Sequence, residues 1–297
     1  MRPEVLAVVA AACWAVSSLF SAPPAQRLGA VAFSRWRMLF ASSLLWALAL
    51  VGGGWRTLDV AAIGLLGLSG VVGIFIGDTA LFACMNRLGP RRSGVLFATH
   101  ALFSAVLAWL FLGEVIWGWT LLGSGLLVGG VMTAVLWGKR EDESHGWEQT
   151  RGRLAVGVAL GLVAALCQSV ATLMLKPLMA TGIDAVSASA VRMSLALAAH
   201  GVLFASGWSG ARARSALRPG DAALVFLSAA VAMALGMTLI LYAMRHGQAG
   251  LVAVFSSVTP VLLLPLLWWI YRRRPATGAW VGAALAVVGT ALILTRS

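Results

Sequence analysis

Three ionisable side chains, Arg37, Asp78 and Arg192, lie inside long apolar runs of this sequence. Placing such a group in a bilayer costs about 2.5–3.5 kcal/mol on insertion scales, so each one needs a structural or functional reason. A guanidinium is a planar fork that fits a carboxylate or a phosphate, which makes both arginines candidates for binding a substrate. The alternative is structural: the side chain snorkels to the membrane surface or bonds helix carbonyls.

The two arginines occupy similar local sequences, "SRWRM" at 34–38 and "SAVRM" at 189–193, and lie 155 positions apart. Arg192 falls near the middle of its apolar run, and for it the substrate-binding and structural interpretations stay balanced. Arg37 lies nearer the start of its run, which favours the structural interpretation. Arg35, two residues away, lies on the opposite helix face and is expected to snorkel.

Asp78 and His100 are candidates for exchanging a proton or contacting a substrate. Asp78 shares one helical stripe with the apolar side chains Phe75 and Phe82. A carboxylate among apolar neighbours is costly to keep ionised, which suits proton exchange. The alternative is that Asp78 hydrogen-bonds a neighbouring helix or pairs with an arginine. His100 shares a face with Phe97; it is a candidate for titration near neutral pH, or a hydrogen-bonded packing residue.

Two polar stripes lie in segments that align with each other, "AAACWAVSSLF" at 10–20 and "AALCQSVATLM" at 164–174. The stripes comprise Trp14, Ser17 and Ser18 in the first segment and Gln168, Thr172 and Lys176 in and just after the second. Small hydroxyls commonly join helices in membranes. Because the stripes match each other, we expect both to face a shared central cavity.

Three residues of the second half complete the predicted substrate site. Thr259 and Pro260, with Ser256 and Ser257 just before them, form a predicted helix break where backbone carbonyls become free. Tyr242 adds an amphipathic ring. No catalytic residue, metal ligand or cofactor is predicted, because the three cysteines are far apart and no phosphate-binding GxxxxGK[ST] motif occurs.

The elements that position these side chains are membrane-spanning helices. The chain is 60% hydrophobic and 11% charged, whereas a soluble domain carries about a quarter charged residues. The apolar residues form long blocks, which predicts an all-α integral membrane protein. The ten predicted spans are 4–22, 31–51, 60–85, 94–112, 116–137, 154–175, 184–206, 222–244, 249–271 and 277–295.

The chain divides into two copies of one five-helix unit, residues 1–138 and 154–297, joined by a polar linker at 139–153. Besides the aligned stripes, Gly123 and Gly130 match Gly282 and Gly289 at an offset of 159. An odd number of spans turns the second copy upside down, giving an inverted repeat around a central cavity. The first segment resembles a secretory signal, but its counterpart in the second copy indicates that it is retained as a span.

The charge pattern predicts topology rather than nucleic-acid binding. The net charge is +12, and the basic residues concentrate in the loops after spans one, three, five, seven and nine. Positive-inside counting places these odd-numbered loops in the cytoplasm and both termini outside. The expected partners are a small-molecule substrate and membrane lipids, and a monomer is expected.

Two stretches of the sequence resemble the drug/metabolite transporter superfamily, and in particular its ten-span EamA-type members. They are "ALFACMNRLGPRRSGVLFATHALFSAVLAWLFLGE" at 80–114 and "LYAMRHGQAGLVAVFSSVTPVLLLPLLWWIYRRRPATGAWVGAALAVVGTALIL" at 241–294. The chain departs from the family pattern at His100–Ala101 and at Arg273, where the second glutamate is expected. Glu114 therefore has no symmetric partner, and a turn-stabilising role is expected for it.

The resemblance implies secondary transport of small metabolites by alternating access, as in bacterial amino acid exporters, with spans five and ten peripheral. It also implies a location in the inner (plasma) membrane of a bacterium. The leading hypothesis is export of amino acids, aromatic and neutral ones included: Arg192 or Lys176 meets a carboxylate, while Trp14, Phe82, Phe97 and Tyr242 shape an apolar pocket. The alternative is a multidrug, sugar or nucleotide-sugar carrier of the same fold. An intramembrane transferase is disfavoured, because such enzymes need paired acidic clusters.

Overall fold

A computed structural model of the protein describes residues 2–114, 117–137, 153–271 and 276–296. Within these ranges the backbone is helical apart from short connections, and no strand occurs. The predicted linker lies outside the described residues except for Arg153, as do the basic residues at 272–274.

Each predicted span corresponds to a helix or to a pair of helical segments. The helices are α1 (Pro3–Leu28), α2 (Ala30–Gly52), α3 (Val60–Gly89), α4 (Arg92–Leu112), α5 (Gly118–Trp137), α6 (Leu154–Ala180), α7 (Ala185–Ala205), α8 (Pro219–His246), α9 (segments Ala249–Ser256 and Thr259–Tyr271) and α10 (Thr277–Arg296).

Of the helices in the described ranges, six are long and apolar enough to cross a membrane: α1, α3, α4, α6, α7 and α8. Shorter apolar helices occupy Gly118–Thr133, Ala249–Leu263 and Thr277–Ile293. The helix α2 has 23 residues, but Arg35 and Arg37 lower its mean hydropathy.

The first predicted span, 4–22, ends before the corresponding helix does. The helix α1 continues beyond residue 22 to Leu28, with Pro23 and Pro24 inside it. Prolines are tolerated in membrane helices because neighbouring helices and hydroxyl side chains satisfy the carbonyls that lose their partner. Here Pro23 and Pro24 leave the carbonyls of Leu19 and Phe20 without an N–H donor from the helix.

Two helices contain π-helical turns that hydropathy does not reveal. The turns occupy Val71–Asp78 in α3 and Ala229–Gly236 in α8, at equivalent positions of the two halves. A π turn shifts the register of side chains around the helix and is frequent at functional sites. The predicted stripe of Phe75, Asp78 and Phe82 assumed regular α-helical spacing, so the π turn alters its geometry.

The helices α4 and α9 are each interrupted near the middle. The interruption in α4 lies at Thr99, and that in α9 lies at Ser257 and Val258. These positions are also related by an offset of 159 residues. Hydroxyls satisfy local carbonyls at both sites: Thr99 donates to Leu96 at 2.6 Å, and Ser257 donates to Val254 at 2.7 Å.

The helices α5 and α10 cross at the four glycines that match in sequence. A Cβ at Gly123 would lie 2.7 Å from the Gly289 carbonyl oxygen, and one at Gly130 would lie 2.6 Å from the Gly282 carbonyl oxygen. Because Gly123 contacts Gly289 while Gly130 contacts Gly282, the two helices run antiparallel. Only residues without a side chain permit this approach of the two backbones.

The packing of α1 on α8 repeats that of α6 on α3. Gly236 lies against Cys13, and Gly77 lies against the equivalent Cys167. A hydroxyl bonds across each interface: Ser228 with Ser17 at 2.9 Å, and Ser69 with the Ala171 carbonyl at 2.8 Å. An offset of 159 residues therefore relates α3 to α8 in space as well as in sequence.

The connections gather on two opposite faces of the helix assembly. On one face, the Arg214 nitrogen donates to the Leu28 carbonyl at 3.1 Å, and Arg27 forms an ion pair with Asp221. At the other end of α1, Pro3 lies beside Gly247. The loops after α1 and α7 are therefore on one side, and the connection after α8 is on the other.

Candidate functional site

Arg37 and Asp78 form a buried ion pair between α2 and α3. The Arg37 Nη1 atom lies 3.2 Å from the Asp78 Oδ2 atom, and the two residues are 5% and 6% exposed. Of the two interpretations of Asp78, pairing with an arginine is the one that the structure contains. The carboxylate stabilises a guanidinium that would otherwise be uncompensated in the protein interior.

Arg192 lies on α7 within electrostatic range of the same carboxylate. Its side chain is 1% exposed, and its Nε and Nη2 atoms make no hydrogen bond. Snorkelling is therefore ruled out for Arg192 in this structure. Buried polar groups in proteins are nearly always hydrogen-bonded, so two unpaired donors on a charged side chain demand an explanation.

The glycines of α3 make room for Arg192. The backbone of Arg192 occupies the place that a side chain at Gly70 would need, and a Cβ at Gly73 would lie 3.4 Å from the Arg192 Nη2 atom. The π turn at Val71–Asp78 begins at this contact and ends at Asp78. It thereby carries the carboxylate and the glycines on one short segment between the two arginines.

Aromatic rings cover the Arg37 side of the cluster. The rings of Phe33 and Phe82 meet edge to face with centroids 4.6 Å apart, and the Arg37 guanidinium carbon lies 5.1 Å from the Phe82 centroid. A cation over an aromatic face is stabilised by the ring quadrupole. Phe82, predicted as a pocket residue, thus lies beside the charged cluster and shields it from water.

The polar stripe of α1 faces α8. The Trp14 indole donates to the Ala232 carbonyl at 3.1 Å, in the π turn of α8. Ser17 bonds the Ser228 hydroxyl, while Ser18 donates to a carbonyl of its own helix, that of Ala15, at 2.7 Å.

The polar stripe of α6 is buried but divides in two. Gln168 donates to the Thr172 hydroxyl at 3.3 Å, and both side chains are less than a tenth exposed. The Lys176 ammonium donates to the carbonyls of Met244 and Gly247 at the end of α8. Lys176 thus stabilises a helix C-terminus, as a cation does there.

The remaining predicted residues lie on α4, α8 and α9. The His100 ring is buried 5.1 Å from the Phe97 ring, and Thr259 donates to the carbonyl of the buried Ser256 at 2.9 Å. Tyr242 is 45% exposed and contacts His246. The structure therefore does not bring Tyr242 to the arginine cluster.

Two residues have roles that the sequence interpretation missed or understated. His200, two turns from Arg192 on α7, is fully buried against Phe75, and both of its ring nitrogens lack a hydrogen bond. The eight-residue spacing from Arg192 was the available signal. Glu114 accepts bonds from the Ala249 and Gly250 nitrogens, each at 3.0 Å. It therefore caps the start of α9 and joins α4 to it.

Comparison with known proteins agrees with the two-fold division of the helices. A sequence profile of the EamA-like transporter family matches residues 1–136 and again residues 155–295. No curated protein sequence matches the chain at a significant level. A solved crystal structure superposes with a TM-score of 0.77 and 16% sequence identity, covering 98% of this chain and 96% of that chain. At that identity the likeness shows the fold alone.

Proposed function

Because the chain belongs to the EamA-like transporter family, we propose that it is a secondary transporter of small metabolites that carry a carboxylate, amino acids among them. Arg192 is the residue that carries this proposal, since it is buried with the Nε and Nη2 donors free. Two parallel N–H groups on one edge of a guanidinium bind a carboxylate in a bidentate manner.

The position of Arg192 suits a carrier. It lies where α7 meets α2 and α3, at the interface of the two halves, and transporters built from inverted repeats bind their substrates there. Rocking of one half against the other would open the cluster to each side of the membrane in turn. Ten spans, a bacterial inner-membrane location and export are parts of the same proposal.

The two alternatives differ in how well they fit the cluster. A carrier of cationic drugs needs an intramembrane carboxylate, and Asp78 is held by Arg37. A sugar-phosphate or nucleotide-sugar carrier is more compatible, because a guanidinium also binds phosphate. The experiment therefore includes phosphorylated sugars beside the carboxylates.

The test is counterflow in proteoliposomes, preloaded with a mixture of amino acids and probed with one labelled compound at a time. We expect saturable accumulation of a subset, and Arg192→Gln should lower its rate about tenfold or more, since a charge-assisted bidentate contact is lost. Arg35→Gln is the matched control, because Arg35 bonds the Ala211 carbonyl and stacks on Phe204 away from the cluster.

Two outcomes would count against the proposal. If no carboxylate accumulates while a sugar phosphate does, the carrier is of the alternative class. If both variants lower transport and yield of folded protein equally, Arg192 is structural.

A further inference from the structure

The two halves of the charged cluster are not equivalent. Arg37 and Arg192 are repeat-related, and the offset of 159 that relates α3 to α8 takes Asp78 to Met237. Met237 is 3% exposed and belongs to the apolar core. The first half therefore supplies a guanidinium and a carboxylate, whereas the second half supplies a guanidinium and a thioether.

In the part of the chain that the structure describes, no other carboxylate takes the place of the one that Met237 lacks. Asp59 and Asp184 cap the starts of α3 and α7, and Asp221 pairs with Arg27. Glu114 caps α9, and Glu4 lies in the first turn of α1. The cluster of Arg37, Asp78 and Arg192 therefore holds two positive charges and one negative charge, a net charge of +1.

The neighbouring ionisable groups supply no negative charge. His200 lies on the same helix as Arg192 against Phe75, with Arg35 beyond it. The Lys176 ammonium is engaged with carbonyls. An uncompensated charge in the protein interior is costly, and its removal by a ligand is correspondingly favourable.

We propose that the cluster selects its ligand by net charge, and that the preferred ligand is an organic monocarboxylate without an ammonium group. This inference rests on the proposed function of the same site. The ligand carboxylate bonds the Nε and Nη2 atoms of Arg192, whereas Asp78 bonds Arg37 through Nη1, and the cluster becomes neutral. A zwitterionic amino acid binds the same edge but leaves the net charge at +1.

An ammonium group in the cluster would have to share the Asp78 carboxylate with Arg37. Asp78 is the acidic group of the cluster, and its Oδ2 atom accepts from Arg37. An ammonium bonded to this carboxylate would compete with Arg37, which lies between Phe33 and Phe82, for the same negative charge. Zwitterions are therefore the weaker carboxylate ligands.

The experiment measures binding of three compounds that share a phenethyl group, by isothermal titration calorimetry on the full-length protein in detergent. The compounds are 3-phenylpropanoate, phenylalanine and phenethylamine, with net charges of −1, 0 and +1. We expect 3-phenylpropanoate to bind about tenfold more tightly than phenylalanine, and phenethylamine not to bind.

The variant Met237→Asp supplies the missing carboxylate, and Met237→Asn is its uncharged control. In Met237→Asp the cluster is neutral before a ligand binds, so the preference for 3-phenylpropanoate over phenylalanine should disappear. In Met237→Asn the same preference should remain. If Met237→Asp does not fold, Arg192→Met, which also neutralises the free cluster, should abolish binding of 3-phenylpropanoate.

The results separate the inference from the proposed function. Phenylalanine binding as well as or better than 3-phenylpropanoate overturns selection by net charge but leaves carboxylate transport intact. A preference that persists in Met237→Asp also overturns it. Absence of binding by either carboxylate, together with absence of amino acid counterflow, overturns both.

Discussion

At the scale of single residues, the carboxylate of Asp78 is the counter-ion of Arg37, with 3.2 Å between the Oδ2 and Nη1 atoms. Asp78→Asn should lower the free energy of unfolding by about 3–5 kcal/mol, because removing one partner of a buried ion pair strands the other charge. The double variant Arg37→Met/Asp78→Leu removes the pair as a unit, so it should recover most of that loss.

Denaturation of the purified variants in mixed micelles measures both effects. Equal destabilisation of the single and the double variant would mean that the side-chain shapes, rather than the ion pair, stabilise this region.

The sequence identified the members of the cluster but not their arrangement. Arg37, Asp78 and Arg192 were each selected because ionisable groups are costly in apolar runs. These three side chains lie together because α2, α3 and α7 pack against one another. The spacing of residues within a single apolar run does not predict how separate helices pack. The same limit applies to Lys176, whose carbonyl partners lie on α8, and to His200, which was overlooked.

At the scale of helices, the crossing of α5 and α10 can be tested with two adjacent glycines. A Cβ at Gly130 would lie 2.6 Å from backbone atoms of α10, whereas one at Gly129 would meet nothing within 4 Å. Gly130→Ala should therefore destabilise the protein by about 1–3 kcal/mol through overpacking. Gly129→Ala should leave stability unchanged or raise it by up to about 1 kcal/mol.

Thermal denaturation of the two variants in the same detergent gives the comparison. A Gly130→Ala protein as stable as Gly129→Ala would show that the two helices are not in contact at this point.

Hydropathy predicted the positions of the helices but did not predict the π turns inside two of them or the true end of α1. The π turns at Val71–Asp78 and Ala229–Gly236 are as apolar as the helices around them, so composition does not mark them. The first span was predicted to end at residue 22, immediately before Pro23 and Pro24, residues that usually stop a helix in water. In a membrane protein the surrounding helices allow the helix to continue to Leu28.

At the scale of the whole molecule, the distribution of arginines between the two faces predicts orientation. Arg27, Arg212, Arg214 and Arg218 lie on the face that joins α1 to α2 and α7 to α8. The positive-inside rule predicts that this face is cytoplasmic. In a variant without native cysteines, Ser209→Cys should then be labelled by an impermeant maleimide only in inside-out vesicles.

Thr181→Cys, at the opposite end of α7, is the matched position and should be labelled only in intact cells. Both side chains are exposed, so access to the reagent depends on the side of the membrane alone. The reverse labelling pattern would contradict the assignment of cytoplasmic loops.

The replacement of Asp78 by Met237 in the second half has a consequence for the ancestry of the chain. A single five-helix unit assembled as a homodimer obeys two-fold symmetry, so whatever one subunit contributes to the shared centre, the other contributes as well. Such a dimer would hold two carboxylates beside two arginines, or none. A centre with two arginines and one carboxylate therefore requires two units that differ in sequence, as the two halves of this chain do at Asp78 and Met237.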